Sequence, residues 1–229
     1  MTRSSKKRLE RHWVERAAKL LDCNWCIRSE RECPDFIVSE GTHQFGLEVS
    51  EVFTGPQSEA GSEIRKREAA TQKRISTLQR EYEASMKVPL KVSFVGDMSP
   101  ANLRTVVPNL IKEDLASKSP GYYVVFDEDN GLRVHVKREF RDDWFYINDT
   151  AGFVDRNPEP ILAERIKHKS NNLSRYRMFA GDDMRLLLVA NRYRNSGKLM
   201  FEQDPPSLDL RGFQKVYFFS HPESVIVFD

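Results

Sequence analysis

Three short strand patterns follow one another between residues 24 and 53, and they constrain the fold more than any other part of the chain. In the third pattern, Phe45, Leu47 and Val49 alternate with smaller or polar residues, which is the two-residue period of a pleated strand. A turn that contains Gly41 joins the second pattern to the third. We therefore expect these two strands to pair as a hairpin.

A helical pattern precedes these strands, because Leu9, Trp13 and Ala17 recur at helical spacing within residues 5–22. After the strands, helices and strands alternate: a charged helix at 63–86, a strand at 88–96, a helix interrupted near Pro108, a hairpin at 121–140, a helix at 159–176 and apolar strands at 184–191, 215–220 and 224–229. This alternation, with no evident linker or repeat, predicts one α/β domain spanning residues 1–229, with a mixed central sheet flanked by helices.

The composition is that of an ordinary soluble protein, with 39% hydrophobic and 31% charged residues. No apolar run is long enough to span a membrane, and the N-terminus is basic and amphipathic where a signal sequence would be apolar. We therefore expect a cytoplasmic protein without a membrane partner. The net charge of +2 neither requires nor excludes nucleic acid, although basic clusters occur within the predicted helices.

The three cysteines, Cys23, Cys26 and Cys33, do not suggest a disulfide framework, which favours a reducing compartment. Cys23 and Cys26 have the spacing of zinc ligands, and Cys33 and His43 would have to complete such a site. The chain contains no phosphate-binding glycine loop and no serine-hydrolase elbow.

Two strands carry a carboxylate where a core strand would prefer an apolar side chain. Asp35 opens the second strand, and Glu48 lies thirteen positions later in the third. If these strands pair about Gly41, both carboxylates project at one end of the sheet. Two convergent carboxylates suit Mg²⁺, which can activate water and stabilise a phosphodiester during its hydrolysis. The alternative is an edge hairpin with ordinary surface carboxylates.

Two further charged side chains fall on the apolar faces of predicted helices. Glu10 lies within the apolar arc of the first helix, and Lys169 lies in the middle of a stripe that includes Ile166, Leu173 and Tyr176. A charge on a core-facing stripe is costly unless it is paired or reaches solvent. Lys169 therefore either serves a site, reaches the surface, or pairs with an acid such as Glu10.

The segments "PDF" at 34–36 and "GLEVSEV" at 46–52 resemble the PD-(D/E)xK signature of the restriction-endonuclease-like nuclease superfamily. The order helix, three strands, helix, strand is similar to the core of that superfamily. The resemblance covers mainly residues 8–95, so residues 96–229 would be additions to a restriction-endonuclease-like core.

The resemblance implies that Asp35 and Glu48 bind Mg²⁺ or Mn²⁺ and take part in catalysis. Glu10 would match the auxiliary acid that some members carry on their first helix. Ser50 stands where the signature has a lysine. Since some members move this lysine to another element, Lys169 is our candidate for the migrated lysine. The rival lysines are Lys66, Lys73 and Lys91.

The expected function is a divalent-metal-dependent nuclease whose partner is nucleic acid, most simply DNA. The basic helices at 63–80 and 164–177 are predicted to contact backbone phosphates. The residues expected to do so are Lys66, Arg67, Lys73, Lys167 and Arg175. The sequence leaves the oligomeric state open, with a homodimer as one option. Two alternatives remain: an inactive module of the same fold that binds nucleic acid or a protein, which Ser50 favours, and a structural protein with a chance motif.

Overall fold

The structure is a computed structural model that describes residues 3–54, 63–128, 131–139, 144–147, 154–202 and 204–229. Its helices and strands, in chain order, are α1 (Arg3–Leu20), β1 (Trp25–Glu30), β2 (Phe36–Glu40), β3 (His43–Val52), α2 (Glu63–Ser85), β4 (Leu90–Gly96), α3 (Pro100–Leu103), α4 (Val106–Lys112), β5 (Tyr123–Glu128), β6 (Leu132–Arg138), β7 (Phe145–Ile147), α5 (Glu159–Ser170), α6 (Leu173–Ala180), β8 (Met184–Asn191), β9 (Lys215–His221) and β10 (Ser224–Phe228). The predicted mixed α/β class is confirmed.

The chain divides into two compact units, whereas the sequence suggested one domain over residues 1–229. The first unit comprises residues 1–62, 153–192 and 196–229, and the second comprises residues 63–152 and 193–195. Each unit has its own sheet and its own set of buried apolar side chains.

The sheet of the first unit has the strand order β1-β2-β3-β8-β9-β10. Strands β1, β2 and β3 form an antiparallel meander, and the turn between β2 and β3 contains Gly41 with a φ of 61°. The predicted hairpin is therefore confirmed. Strands β3, β8 and β9 are parallel to one another, and β10 returns antiparallel to β9.

The strand beside β3 is β8, not β4 as the continuous core at residues 8–95 implied. Strand β4 pairs with β6 and β7 in the sheet of the second unit. The burial patterns of the two strands explain this difference. Every residue of β8 is buried, as in a parallel strand covered on both faces, whereas burial alternates along β4, as in a strand with one covered face. Helices α5 and α6 thus precede the fourth strand of the first sheet.

Helices cover both faces of the first sheet. On one face, Trp13 and Ala17 of α1 share a core with Leu47 of β3. On the other face, Ile166 of α5 and Tyr176 of α6 share a core with alternate residues of β8 and β9. These two cores use opposite side chains of each strand, because successive residues of a strand point to opposite faces.

Gly46 of β3 permits a close approach of α6 to the sheet. A Cβ atom at this position would lie 2.4 Å from the Sδ atom of Met184 and 2.6 Å from the Cβ atom of Ala180. Both distances are far below ordinary contact, so a larger residue would push the end of α6 away from β3. The glycine of "GLEVSEV" therefore has a packing role two residues before Glu48.

The second unit contains a four-stranded sheet in the order β5-β6-β4-β7. The predicted hairpin at 121–140 is observed as the antiparallel pair β5 and β6. The expected helix near Pro108 is two short helices that separate before this proline, at residues 104–105, because proline fits the first turn of α4. No helix in the described parts of the chain is both long and apolar enough to cross a membrane.

Candidate active site

A pocket of about 350 Å³ in the first unit brings together the three residues predicted to be catalytic, Asp35, Glu48 and Lys169. It is lined by Lys6, Lys7, Glu32, Asp35, Glu48, Val49 and Lys169. Two acids from the meander and one lysine from α5 thus reach the same pocket from distant parts of the sequence.

Asp35 and Glu48 are held together by the antiparallel pairing of β2 with β3. Phe36 pairs with Leu47, which places Asp35 directly beside Glu48. The Asp35 amide donates to Oε2 of Glu48 at 3.3 Å, and the Val49 amide donates to Oδ2 of Asp35 at 3.0 Å. The exposed fractions of the two acids are only 9% and 6%. The two carboxylates therefore converge in one pocket as the hairpin register predicts.

Lys169 reaches this pair of acids from the last turn of α5. Its Nζ atom donates to Oε1 of Glu48 at 2.7 Å. The side chains of Lys169 and Glu48 are 19% and 7% exposed. The sequence left open whether Lys169 serves a site, reaches the surface or pairs with an acid. The structure shows that it pairs with an acid, which is Glu48 and not Glu10.

Tyr176 supports Glu48 from α6. The predicted helix at 159–176 is two helices, which separate at Asn171 and Asn172, and Tyr176 lies in the second. Its hydroxyl is near the Glu48 carboxylate and acts to lower the pKa of that acid. Burial and the negative charge of Glu48 raise the pKa of Tyr176 above its usual range, so the phenol keeps its proton and remains a donor.

The pKa of Glu48 is raised above its usual value. Burial is the largest cause, because it penalises the ionised carboxylate, and the charge of Asp35 adds to it. Lys169 and the Tyr176 hydroxyl act in the opposite direction but do not cancel the rise. A divalent cation between the two acids would favour the ionised form of Glu48, since it is attracted to both carboxylates.

Lys7 is a site residue that the sequence analysis missed. Its ammonium pairs with Oδ1 of Asp35 and lies 3.2 Å from Oε2 of Glu10. Burial lowers the pKa of Lys7, but the hydrogen bond and charge of Asp35, together with Glu10, outweigh burial and leave that pKa raised. The available signal was the i, i+3 spacing of Lys7 and Glu10, which places both on one face of α1.

Glu10 is nearly fully buried, with 3% of its surface exposed. Its Oε1 atom lies 3.3 Å from Nζ of Lys6, and its Oε2 atom pairs with Lys7. Among the described residues Glu10 is not one that lines the pocket. The geometry therefore connects Glu10 to Asp35 through Lys7.

Ser50 is buried on the same face of β3 as Glu48, with 8% of its surface exposed. It pairs with Leu188 of β8, one of the strands in the middle of the sheet. The position that carries lysine in the PD-(D/E)xK signature is thus an uncharged position here. The positive charge that pairs with Glu48 is instead that of Lys169 on α5.

The five residues predicted to contact phosphates are divided between the two units. Lys167 of α5 and Arg175 of α6 are exposed on the first unit. Lys66, Arg67 and Lys73 are exposed on α2 of the second unit. Two of the rival lysines, Lys66 and Lys73, are in this second group, and the third, Lys91, is exposed on β4.

The donor set of the pocket suits a hard cation. Two carboxylates are a usual protein contribution to a Mg²⁺ site, the remaining ligands being waters and substrate phosphate oxygens. Within the described residues there is no group of three or more His, Cys, Asp or Glu side chains placed to hold a metal ion, and Cys23, Cys26 and Cys33 are free thiols. A zinc site of the kind considered from the cysteine spacing is therefore not observed there.

We found no protein-family model, curated protein or solved structure that matches the chain. The fold and the pocket define a class: a mixed α/β protein whose first unit carries two buried acids, each paired with a lysine from a helix. The function has to be inferred from these residues and their geometry.

Proposed function

We propose that the first unit hydrolyses phosphodiester bonds in nucleic acid, with Mg²⁺ or Mn²⁺ held by Asp35 and Glu48. The observation that carries this proposal is the shared pocket of the two acids, with Lys169 hydrogen bonded to Glu48 at 2.7 Å. A carboxylate in a cleft whose pKa is shifted by burial and by a specific charged partner is typical of a functional site.

Each residue of the pocket has a separate role in this proposal. A divalent cation held by the two acids would lower the pKa of a bound water and offset charge on the phosphate. Lys169 provides a fixed positive charge next to Glu48, where it orients the attacking water and offsets the phosphate charge. Tyr176 fixes the Glu48 carboxylate from α6, so that the acid presents the same oxygen atoms to the pocket.

Nucleic acid, most simply DNA, is the proposed substrate because exposed cations lie on the helices that supply Lys169 and Tyr176. Lys167 and Arg175 would contact backbone phosphates and would not discriminate between bases. Lys66, Arg67 and Lys73 of the second unit are proposed to make contacts of the same kind.

An inactive module that binds nucleic acid or a protein partner is the second candidate. Ser50 favours it, because the signature lysine is absent from β3. The lysine pairs favour it as well, since Asp35 and Glu48 each have a positive partner without any metal.

Cleavage assays with defined variants test the proposal. The parent protein, Glu48→Gln and Asp35→Asn would be incubated with plasmid, single-stranded DNA and RNA in the presence of Mg²⁺ or Mn²⁺. Glu30→Gln is the matched control, because Glu30 is an exposed acid of β1 that pairs with Arg11. We expect metal-dependent cleavage by the parent and by Glu30→Gln, and none by the other two. Equal cleavage by all four proteins would exclude the site, and no cleavage with no Mn²⁺ binding would favour the inactive module.

A further inference from the structure

Lys7 has an unusual environment for a lysine near the start of a helix. Its side chain is only 18% exposed, and its ammonium lies between the carboxylates of Asp35 and Glu10. The Nζ atom also lies 5.1 Å from the centre of the Phe36 ring, within the range of a cation–π contact. These contacts hold the ammonium of Lys7 at the pocket. A lysine on an exposed helix face would instead extend into water.

The acid that Lys7 engages is one of the two proposed metal ligands. Oδ1 of Asp35 accepts from Lys7, and Oδ2 accepts from the Val49 amide. An ammonium hydrogen bond takes up part of the lone-pair capacity of Oδ1, so Lys7 competes with a cation for that oxygen. A divalent ion at Asp35 would also be repelled by an ammonium within a few ångströms, since like charges interact strongly in a partly buried pocket.

The two lysines balance the two acids. Lys7 is paired with Asp35, and Lys169 is paired with Glu48, so the four groups together carry no net charge. Glu10, which is not among the described residues that line the pocket, gives Lys7 a second partner. The ammonium can therefore leave Asp35 and remain ion-paired on its own helix, with no charge left buried alone.

We infer that Lys7 competes with the divalent cation for Asp35 and thereby sets the metal affinity of the pocket. This inference rests on the proposed function, because it concerns the same site and the same cation. It assigns Glu10 a new role: Glu10 retains Lys7 after the cation displaces it and is not itself a metal ligand. Lys7 is accordingly a positioning residue, which acts on the metal through Asp35.

Titration of Mn²⁺ into the full chain, followed by the electron paramagnetic resonance signal of free Mn²⁺, measures this competition. The proteins to compare are the parent, Lys7→Met, Lys7→Gln and Lys19→Met. Lys19 is the matched control because it is an exposed lysine of the same helix that is not among the residues lining the pocket. Asp35→Asn is included as the variant expected to lose the site.

We expect Lys7→Met and Lys7→Gln to bind Mn²⁺ at least about tenfold more tightly than the parent, and Lys19→Met to bind within about twofold of it. Tenfold corresponds to about 1.4 kcal/mol. A thermal melt provides a second measurement, since a ligand that binds the folded state stabilises it. In EDTA both Lys7 variants should melt below the parent, and the rise in melting temperature on adding Mn²⁺ should be larger for them.

The possible results separate this inference from the proposed function. If the parent binds Mn²⁺, Asp35→Asn does not, and the Lys7 variants bind as the parent does, the competition is excluded while the metal site stands. If no protein binds Mn²⁺, the metal site and the competition are both excluded. Lys7→Gln keeps a polar group at the pocket and answers the question should Lys7→Met fail to fold.

Discussion

Replacement of Lys169 by methionine tests how the pocket is held together. Nζ of Lys169 lies 2.7 Å from Oε1 of Glu48, and the side chains of the pair are 19% and 7% exposed. Exposed ion pairs contribute less than about 1 kcal/mol, whereas removing one partner of a fully buried pair costs about 3–5 kcal/mol. This pair lies between these limits, and hydrogen bonds to charged groups contribute about 1.5–3 kcal/mol. We therefore expect Lys169→Met to destabilise the first unit by about 2 kcal/mol near pH 8.

The loss should depend on pH because Glu48 can take up a proton. The pKa of Glu48 is already raised by burial and by Asp35, and removal of Lys169 raises it further. A carboxyl group whose pKa is raised by folding destabilises the folded state when it is ionised. That penalty is full above the raised pKa and disappears below the usual glutamate value of about 4.3. The destabilisation by Lys169→Met should therefore shrink as the pH is lowered from 8 towards 4.3.

Native-state hydrogen exchange gives the opening free energy of the relevant amides without assuming that both units unfold together. The amides to follow are those of residues 36–52, which include β2 and β3. Lys167→Met is the matched control, because Lys167 is exposed on the same helix. Equal protection of the two variants at pH 8, or a loss that does not change with pH, would exclude a stabilising Lys169–Glu48 ion pair.

Three further predictions concern the surroundings of the pocket. Gly46→Ala should destabilise the first unit by about 1–3 kcal/mol in urea unfolding, because its Cβ would lie 2.6 Å from that of Ala180; an unchanged midpoint would contradict this close packing. Tyr176→Phe should cost about 1 kcal/mol near pH 8 and less at lower pH, since Glu48 loses a nearby hydroxyl that favours its ionised form. Equal losses at both pH values would contradict that role. Lys167→Ala should weaken DNA binding about equally for all sequences. It should also reduce the slope of the logarithm of the binding constant against the logarithm of the salt concentration by about 1, and an unchanged slope would exclude its phosphate contact.

The convergence of Asp35 and Glu48 could be predicted because it depends on local structure. The alternation of apolar residues, the turn at Gly41 and the short distance along the chain determine which residues of β2 and β3 are neighbours. Lys169 could be selected for a similar reason, since a charge inside an apolar helical stripe needs a partner. The sequence could not identify that partner as Glu48, because the contact joins residues that are 121 positions apart.

The order of helices and strands along the chain alone could not predict which strands form the first sheet. Strands β4 and β8 both follow helices, and only the pairing partners decide which of them lies beside β3. The burial patterns contain a clue, because β8 is apolar through most of its length and β4 alternates. A continuous apolar strand needs cover on both faces, and α1 on one side with α5 and α6 on the other provide it.

Lys7 was missed because its role depends on where the first turn of α1 lies relative to β2. In the sequence it is one of several basic residues before Glu10, and its spacing from Glu10 does not separate it from Lys6, which also pairs with that acid. The contact with Asp35 arises only when α1 packs on the sheet through Trp13 and Ala17. Tertiary packing thus selects one lysine from a basic segment, which no local pattern could do.

Joint binding of a divalent cation by Asp35 and Glu48 can be observed in an anomalous difference map from a crystal of the parent protein soaked in Mn²⁺. We expect a peak between the two carboxylates, within ordinary metal–oxygen distance of both, with the ammonium of Lys7 moved away from Asp35. A pocket without a peak at saturating Mn²⁺, with Lys7 still paired to Asp35, would exclude the metal site.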